Sequence, residues 1–283
     1  MINIVCTSKP CDGLLYYSYE YCSYLNQMGI DSQLIIVCHR DFSRESYAKA
    51  IEEKYIHFEN VVFDKFDPRT QDATLIMGRS MMTLSYQDFE YYTADQKSTL
   101  KRLFAGKVVA VYSENHPEKY PKAVEFYAPA RIFHLCDHEV YPEGTGLHFE
   151  KTINFDIHKP PKKEKQFEHL FLGTNARYYA TVQKVIGDFP DHGIITYDDD
   201  YIDTNNNNVF APVTNLLGKF ETFVYTKDTF DPAPRIFQEC KYFGKNTIYL
   251  RDRSIQDGGS VYWNRPIKTP NIEPIITAVE ELA

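Results

Sequence analysis

Short apolar runs alternate with amphipathic segments from the first residues of the chain. Residues 3–8 and 32–37 are rich in β-branched side chains and predict strands, while residues 14–28 between them have apolar positions at helical spacing. The pattern continues with strands predicted at 61–63, 73–77, 107–112 and 131–135 and helices at 43–54 and 94–104. Such alternation is typical of βαβ units, so we predict an α/β fold with a parallel sheet.

Residues 157–165 interrupt this pattern with two prolines and five charged side chains, four of them lysines. A segment of this composition cannot continue a helix or a central strand, and it predicts a solvated interdomain linker. The alternation then restarts, with strands predicted at 169–172, 193–197, 222–225 and 247–250 and helices at 176–186 and 232–242. We therefore predict two domains, residues 1–158 and 159–283, whose sheets face each other across a cleft. Residues 272–282 have helical spacing and predict a closing helix that packs back across the hinge.

Composition and charge narrow the classes of function. The 283 residues are 43 % hydrophobic and 15 % aromatic, which is enough for packed cores. No apolar run reaches the roughly 18 to 20 residues of a membrane span, and the N-terminus enters a strand pattern rather than a signal peptide, so we expect a cytoplasmic protein. The six cysteines form no CxxC pair and no zinc spacing, which favours buried free thiols. A net charge of −8 indicates no general polyanion-binding surface, although it leaves a local basic groove open.

The most informative stretch is residues 230–250. Asp231 occupies an N-cap position, Gly244 suits the position just after a helix, and a strand pattern follows. An apolar stripe between them is formed by Ile236, Phe237, Cys240 and Phe243. Asp231 and Glu239 are separated by seven residues, so one acid precedes the helix and the other lies about two turns along it.

This layout resembles the retaining, GT-B type nucleotide-sugar glycosyltransferases, whose C-terminal domain has a Glu/Asp, seven residues, Glu pattern before a glycine and a strand. The resemblance implies two Rossmann-like domains, with a UDP-linked sugar held chiefly by the second. It places Asp231 near the donor sugar and Glu239 on the ribose hydroxyls, to which a carboxylate offers two acceptor oxygens. Arg235 joins the donor-binding candidates. The alternative is that Asp231 only caps the helix and Glu239 is an exposed partner of Arg235 at i, i+4.

A second candidate for donor binding is the turn at Gly173, between a predicted strand and a predicted helix. Glycine permits close approach of a phosphate, and the free N–H groups of a helix start favour an anion. Enzymes of the resembled type have a basic pair soon after this glycine, but Thr174 and Tyr178 stand there. Arg177 and Lys227 are the available substitutes for neutralising the leaving diphosphate. This departure leaves the choice between retention and inversion of anomeric configuration open.

The N-terminal domain offers candidates for contact with the sugar and the acceptor. Asp12 and Gly13 lie in the loop after the first strand, where an ordinary N-cap role for Asp12 is equally compatible with the sequence. Asp137 and His138 follow another predicted strand and suit the orientation or deprotonation of an acceptor hydroxyl. We prefer that pair over the similarly placed Glu114 and His116, and surface-turn roles remain the alternative.

No metal and no tightly bound cofactor is expected. Asp198–Asp200 contains an Asp-x-Asp sequence, but it runs into a Tyr/Asn-rich stretch and favours a solvated acidic turn over a metal site. We therefore expect that transfer needs no divalent cation.

For the acceptor, the short length and the Tyr/Asn/Asp-rich composition are similar to those of the T-even phage transferases that glycosylate hydroxymethylcytosine in DNA. The similarity implies double-stranded DNA as a partner, with the target base flipped out and phosphates contacted by Lys97, Lys101 and Arg102. Those cations also suit an ordinary solvated helix face. Two alternatives stay open: a transferase for cell-surface polysaccharide or lipid-linked glycan, and a non-catalytic two-lobed protein that binds a sugar or a nucleotide-sugar.

Overall fold

The computed structural model describes most of the chain. The described residues are 1–10, 12–38, 42–63, 74–78, 94–111, 120–134, 147–148, 153–162, 164–173, 176–196, 209–210, 216–226, 235–250 and 272–282. They form two units, one made of Met1–His158 together with Lys268–Ala283, the other of Lys159–Ile267.

Strands and helices alternate through both units of the described chain. The strands are β1 Ile2–Cys6, β2 Ser32–Ile36, β3 Val61–Phe63, β4 Thr74–Gly78, β5 Val108–Val111, β6 Arg131–His134, β7 Leu147–His148, β8 His169–Leu172, β9 His192–Ile195, β10 Val209–Phe210, β11 Thr222–Tyr225 and β12 Asn246–Tyr249. The α-helices are α1 Gly13–Gln27, α2 Arg44–Lys54, α3 Ala94–Phe104, α4 Tyr120–Tyr127, α5 Ala176–Val185, α6 Arg235–Tyr242 and α7 Glu273–Glu280. Short 3-10 helices span Phe155–Ile157 and Ile186–Asp188.

The described strands of each unit form a parallel sheet. In the described residues of the first unit the strand order is β3-β2-β1-β4-β5-β6-β7, and in the second it is β10-β9-β8-β11-β12. Every pair of neighbours runs parallel. Parallel sheets need crossover helices, which here connect most of the strands, so the α/β fold class predicted from the alternation is confirmed.

The two faces of the second sheet show why its strands are apolar at consecutive positions. On one face, Leu170, Phe223 and Tyr225 belong to a buried cluster that includes Phe237 and Cys240 of α6. On the other face, a second cluster is formed by Phe171, Ile194 and Val224 with Val182 of α5. A parallel sheet covered on both faces requires apolar side chains pointing in both directions, so alternation with polar residues is lost.

Local polar contacts fix the ends of the first two helices. The Asp12 carboxylate accepts a hydrogen bond from the Leu14 N–H at 3.1 Å and caps α1. Gly29, with φ +81°, follows the end of the same helix in the left-handed conformation that glycine adopts without strain. Ser43 caps α2 by accepting from the Ser46 N–H at 3.3 Å. Such caps satisfy backbone donors that a helix leaves without partners in its first turn.

The segment predicted as a linker is only partly solvated. Lys159, Pro160 and Lys162 are exposed, as predicted, but Ile157 and His158 are buried in the first unit. Further along, the Glu164 N–H donates to the Gly218 carbonyl at 3.2 Å. A Cβ on Gly218 would lie 1.6 Å from the Lys162 carbonyl oxygen, so this backbone approach requires glycine.

The closing helix α7 belongs to the first unit, where it contacts β4 and β5. Its apolar side chains are buried there: Ile272, Ile275, Ile276, Ala278 and Val279.

Candidate functional site

Among the described strands, the order reverses at β1 in the first sheet and at β8 in the second. In the first unit the chain goes from β1 outward to β2 and β3, and then returns to β4 on the other side of β1. In the second unit it goes from β8 outward to β9 and β10, and then returns to β11 on the other side of β8. Open α/β sheets bind ligands beyond the carboxyl ends of the strands at such a switch point. The residues that follow β1, β8 and β11 are therefore the first places to look for a site.

Helix α6 follows β11 and contains the acid singled out by the spacing. Arg235 is 6 % exposed and Glu239 is 4 % exposed, and the Arg235 Nε lies 2.5 Å from Glu239 Oε1. The pairing agrees with the alternative left open by the sequence, but the exposure does not, because both side chains are buried. A buried ion pair gives up hydration that its mutual attraction does not always recover. Asp231 and Lys227 precede this helix and lie outside the described residues.

Gly173 lies directly after β8 and is buried. Its N–H donates to the Ile195 carbonyl at 2.8 Å, which continues the ladder between β8 and β9. A Cβ here would meet Tyr179 Cδ2 at 3.1 Å and Ile194 Cγ2 at 3.2 Å. The glycine thus permits close packing of α5 on the sheet, a structural reason that does not depend on a ligand. Arg177 lies in the first turn of α5, and its side chain is outside the described part of the chain.

Asp12 and Gly13 lie after β1, at the switch point of the first sheet. Asp12 is the N-cap of α1, the structural role that the sequence left open, and Gly13 is the first residue of that helix. A role for either residue in contact with a sugar stays a prediction.

A buried ionisable cluster lies in the first unit and was missed from the sequence. Glu20 of α1 accepts a hydrogen bond from the Tyr55 hydroxyl at 2.9 Å, and its Oε1 lies 2.7 Å from His158 Nε2. The Glu20 and His158 side chains are 3 % and 2 % exposed. Tyr55 and His158 also form an isolated antiparallel bridge. The cluster fixes the last residue before Lys159 onto α1 and α2.

Solved structures of alpha-glucosyltransferase share this architecture. One, in complex with UDP-glucose and DNA containing an abasic site, aligns with a TM-score of 0.54 and 14 % identity over 99 % of this chain and 89 % of that chain. Another, in complex with UDP and a 13-mer DNA containing a HMU base, aligns with a TM-score of 0.54 and 11 % identity over 99 % of this chain and 90 % of that chain. The chain has a GT-B-like fold. No family model matches the sequence, and no curated protein matches it significantly.

Two of the cations predicted to contact DNA phosphates lie near the amino edge of the first sheet, away from the edge where ligands bind. Lys101 and Arg102 are in the last turn of α3, which leads directly into the amino end of β5. Lys101 Nζ lies 4.7 Å from the centre of the Phe126 ring, and both cations are near the negative end of the helix dipole. Ligands bind at the opposite, carboxyl edge in this type of sheet. The position favours the solvated-face alternative. The side chain of Lys97 lies outside the described part.

Several of the candidate site residues lie outside the described part of the chain. They include Asp137 and His138 after β6, Glu114 and His116 after β5, and Asp198–Asp200 after β9. Among the residues that are described, no group of three or more His, Cys, Asp or Glu side chains is arranged to hold a metal ion. None of the described helices combines the length and the apolar character that a membrane crossing requires. Of the four cysteines described, all are free thiols and Cys6, Cys22 and Cys240 are buried.

Proposed function

We propose that the chain is a glycosyltransferase that moves a sugar from a UDP-linked donor to an acceptor hydroxyl. The alignments with two structures solved with UDP-glucose or UDP cover 99 % of the chain. Within the GT-B-like fold, the observation that supports donor binding most directly is the buried Arg235–Glu239 pair on the helix that follows the second switch point. This helix starts from the carboxyl edge of the sheet, where open α/β sheets bind ligands.

In the proposed donor site, the Arg235 guanidinium orients the Glu239 carboxylate, which accepts hydrogen bonds from the ribose hydroxyls. A charged acceptor makes stronger hydrogen bonds than a neutral one and can bind both hydroxyls of a vicinal diol. Asp231 precedes the same helix and is assigned to the donor sugar.

Departure of the diphosphate needs positive charge more than acid catalysis. Arg177, Lys227 and the start of α5 near Gly173 are assigned to the developing negative charge, because fixed donors stabilise it without reorganisation. No metal enters this scheme. On the acceptor side, Asp12, Asp137 and His138 are the candidates to orient the hydroxyl and accept its proton.

We propose 5-hydroxymethylcytosine in double-stranded DNA as the acceptor. Both of the related structures described above contain DNA, and a shared fold makes this acceptor the first to test, by analogy. The base would have to be flipped out of the duplex, with phosphate contacts from a local basic groove, since the net charge is −8.

The experiment uses radiolabelled UDP-sugars with two duplexes that differ only in carrying cytosine or 5-hydroxymethylcytosine at one position. Label entering only the modified duplex is the expected result. Label entering a saccharide or lipid acceptor, and no duplex, would replace DNA by the polysaccharide or lipid-linked alternative. If the protein binds the donor but releases no UDP with any of the acceptors, it is a sugar-nucleotide binding module rather than an enzyme.

A further inference from the structure

Two buried threonine hydroxyls lie at the carboxyl ends of central strands. Thr7 follows β1 and is 7 % exposed, and Thr226 follows β11 and is 4 % exposed. Neither Oγ1 atom has a hydrogen-bond partner in the part of the chain that the structure describes. Buried hydroxyls in native proteins are nearly always hydrogen-bonded, so a further partner is expected for each of these two.

Thr226 lies beside the switch point of the second sheet. Val224 pairs with Phe171 across β11 and β8, so two residues later Thr226 is level with Gly173. On the other side of β11, the Leu250 N–H donates to the Tyr225 carbonyl at 2.9 Å, which continues the ladder up to the residue before Thr226. The hydroxyl is therefore placed by a strand held on both sides, at the edge where this type of sheet binds ligands.

The surroundings favour an anionic oxygen as the missing partner. Helix α5 begins three residues after Gly173, and the first N–H groups of a helix are unsatisfied donors that attract phosphate. A hydroxyl can donate to a phosphate oxygen at the same time as neighbouring N–H groups do, because each anionic oxygen accepts several hydrogen bonds.

We propose that the Thr226 hydroxyl donates a hydrogen bond to the diphosphate of the donor nucleotide. The proposal rests on the glycosyltransferase function proposed above, and adds to it a positioning residue that no spacing pattern in the sequence indicated. Ligand binding would satisfy a hydroxyl that has no partner among the described residues.

The test compares Thr226→Val, which removes the hydroxyl at nearly constant shape, with Thr226→Ser, which keeps it. Thr222→Val is the matched control, because it removes a buried hydroxyl from the amino end of the same strand, at the edge away from the proposed ligand. UDP affinity is measured by calorimetry, pyrophosphate affinity by competition with UDP, and the melting temperature without ligand by scanning calorimetry.

We expect Thr226→Val to weaken UDP and pyrophosphate binding by a similar factor of about 5 to 20. Its melting temperature without ligand should be unchanged or higher, since no hydrogen bond within the protein is lost. Thr226→Ser and Thr222→Val should bind UDP as the wild type does.

Three results would overturn the proposal. Wild-type affinity for UDP in Thr226→Val would exclude the contact, and a loss for UDP without a loss for pyrophosphate would move it to the nucleoside. A marked drop in the melting temperature of Thr226→Val without ligand would show that the hydroxyl is bonded within the protein. Wild-type protein that binds neither UDP nor pyrophosphate would instead refute the proposed function, and this inference with it.

Discussion

Neutralising one partner of the buried Arg235–Glu239 pair should destabilise the protein strongly. The variant Glu239→Gln keeps the length of the side chain but leaves the Arg235 guanidinium, only 6 % exposed, without its counter-charge at 2.5 Å. Breaking a buried ion pair from one side costs about 3 to 5 kcal/mol, because the remaining charge stays buried after losing its close counter-charge. We expect a decrease of this size in the free energy of unfolding, measured by urea denaturation.

The double variant Arg235→Met/Glu239→Met separates stability from binding. Replacing both charges by apolar side chains of similar length removes both buried charges, so stability should return to within about 1 kcal/mol of the wild type. The ribose acceptor is still missing, so the binding free energy for UDP, measured by calorimetry, should remain weaker by about 1 to 3 kcal/mol. Stability restored together with weakened binding is the combination that a purely structural ion pair does not produce.

An exposed pair with the same i, i+4 spacing provides the control. Lys49 and Glu53 on α2 are 74 % and 33 % exposed, with 3.8 Å between Nζ and Oε1. Glu53→Gln should change the free energy of unfolding by about 0.5 kcal/mol or less, since exposed pairs contribute little. If Glu239→Gln is equally mild, the argument from burial is wrong. If the double variant binds UDP like the wild type, Glu239 has no role in the donor site.

Three further predictions concern metal, packing and pH. Sugar transfer should survive dialysis against EDTA; loss of transfer that manganese or magnesium restores would contradict the metal-free scheme. Gly218→Ala should lower the free energy of unfolding, measured by urea denaturation, by about 1 to 3 kcal/mol or more, because its Cβ would lie 1.6 Å from the Lys162 carbonyl oxygen. The control is Gly187→Ala, whose Cβ would meet nothing within 4 Å, and it should be neutral or slightly stabilising in the same assay. Burial raises the pKa of Cys6 to about 12 and that of Cys22 to about 11 in the folded protein. In the unfolded chain these thiols lose their protons near pH 8.5, so a rise in pH above that value favours the unfolded state and lowers the stability. Cys6→Ala should reduce that decline by about 1.4 kcal/mol per pH unit, and an unchanged slope would show that Cys6 titrates normally.

Hydrophobic periodicity predicted most of the regular structure. The bounds expected for α3, β3, β8 and β11 coincide with those observed, because each has a clear apolar pattern between polar turns. Strands β7 and β10 have two residues each, which is too short for any period to be detected. Helix α4 was not predicted, and it has Pro121 in its first turn, where proline is tolerated.

In the candidate site, the sequence could predict contacts only between residues that are close along the chain. Arg235 and Glu239 are four residues apart on one helix, so their pairing follows from helix geometry, but their burial does not, since Arg and Glu are mostly exposed in proteins. Glu20 and His158 meet across 138 positions, a contact that local patterns cannot indicate. The buried Thr226 hydroxyl could not be predicted either, because burial and hydrogen-bond partners depend on the three-dimensional positions of the neighbouring residues.

During synthesis on a ribosome, the first unit cannot complete its fold until α7 has emerged. Its described strands emerge before Lys159, but α7, which covers part of β4 and β5, follows the whole of Lys159–Ile267. The second unit is continuous in sequence and is therefore complete before the first. Until then the apolar surface under α7 stays open to water, chaperones or other nascent chains, which makes the nascent first unit the part of the protein most exposed to aggregation.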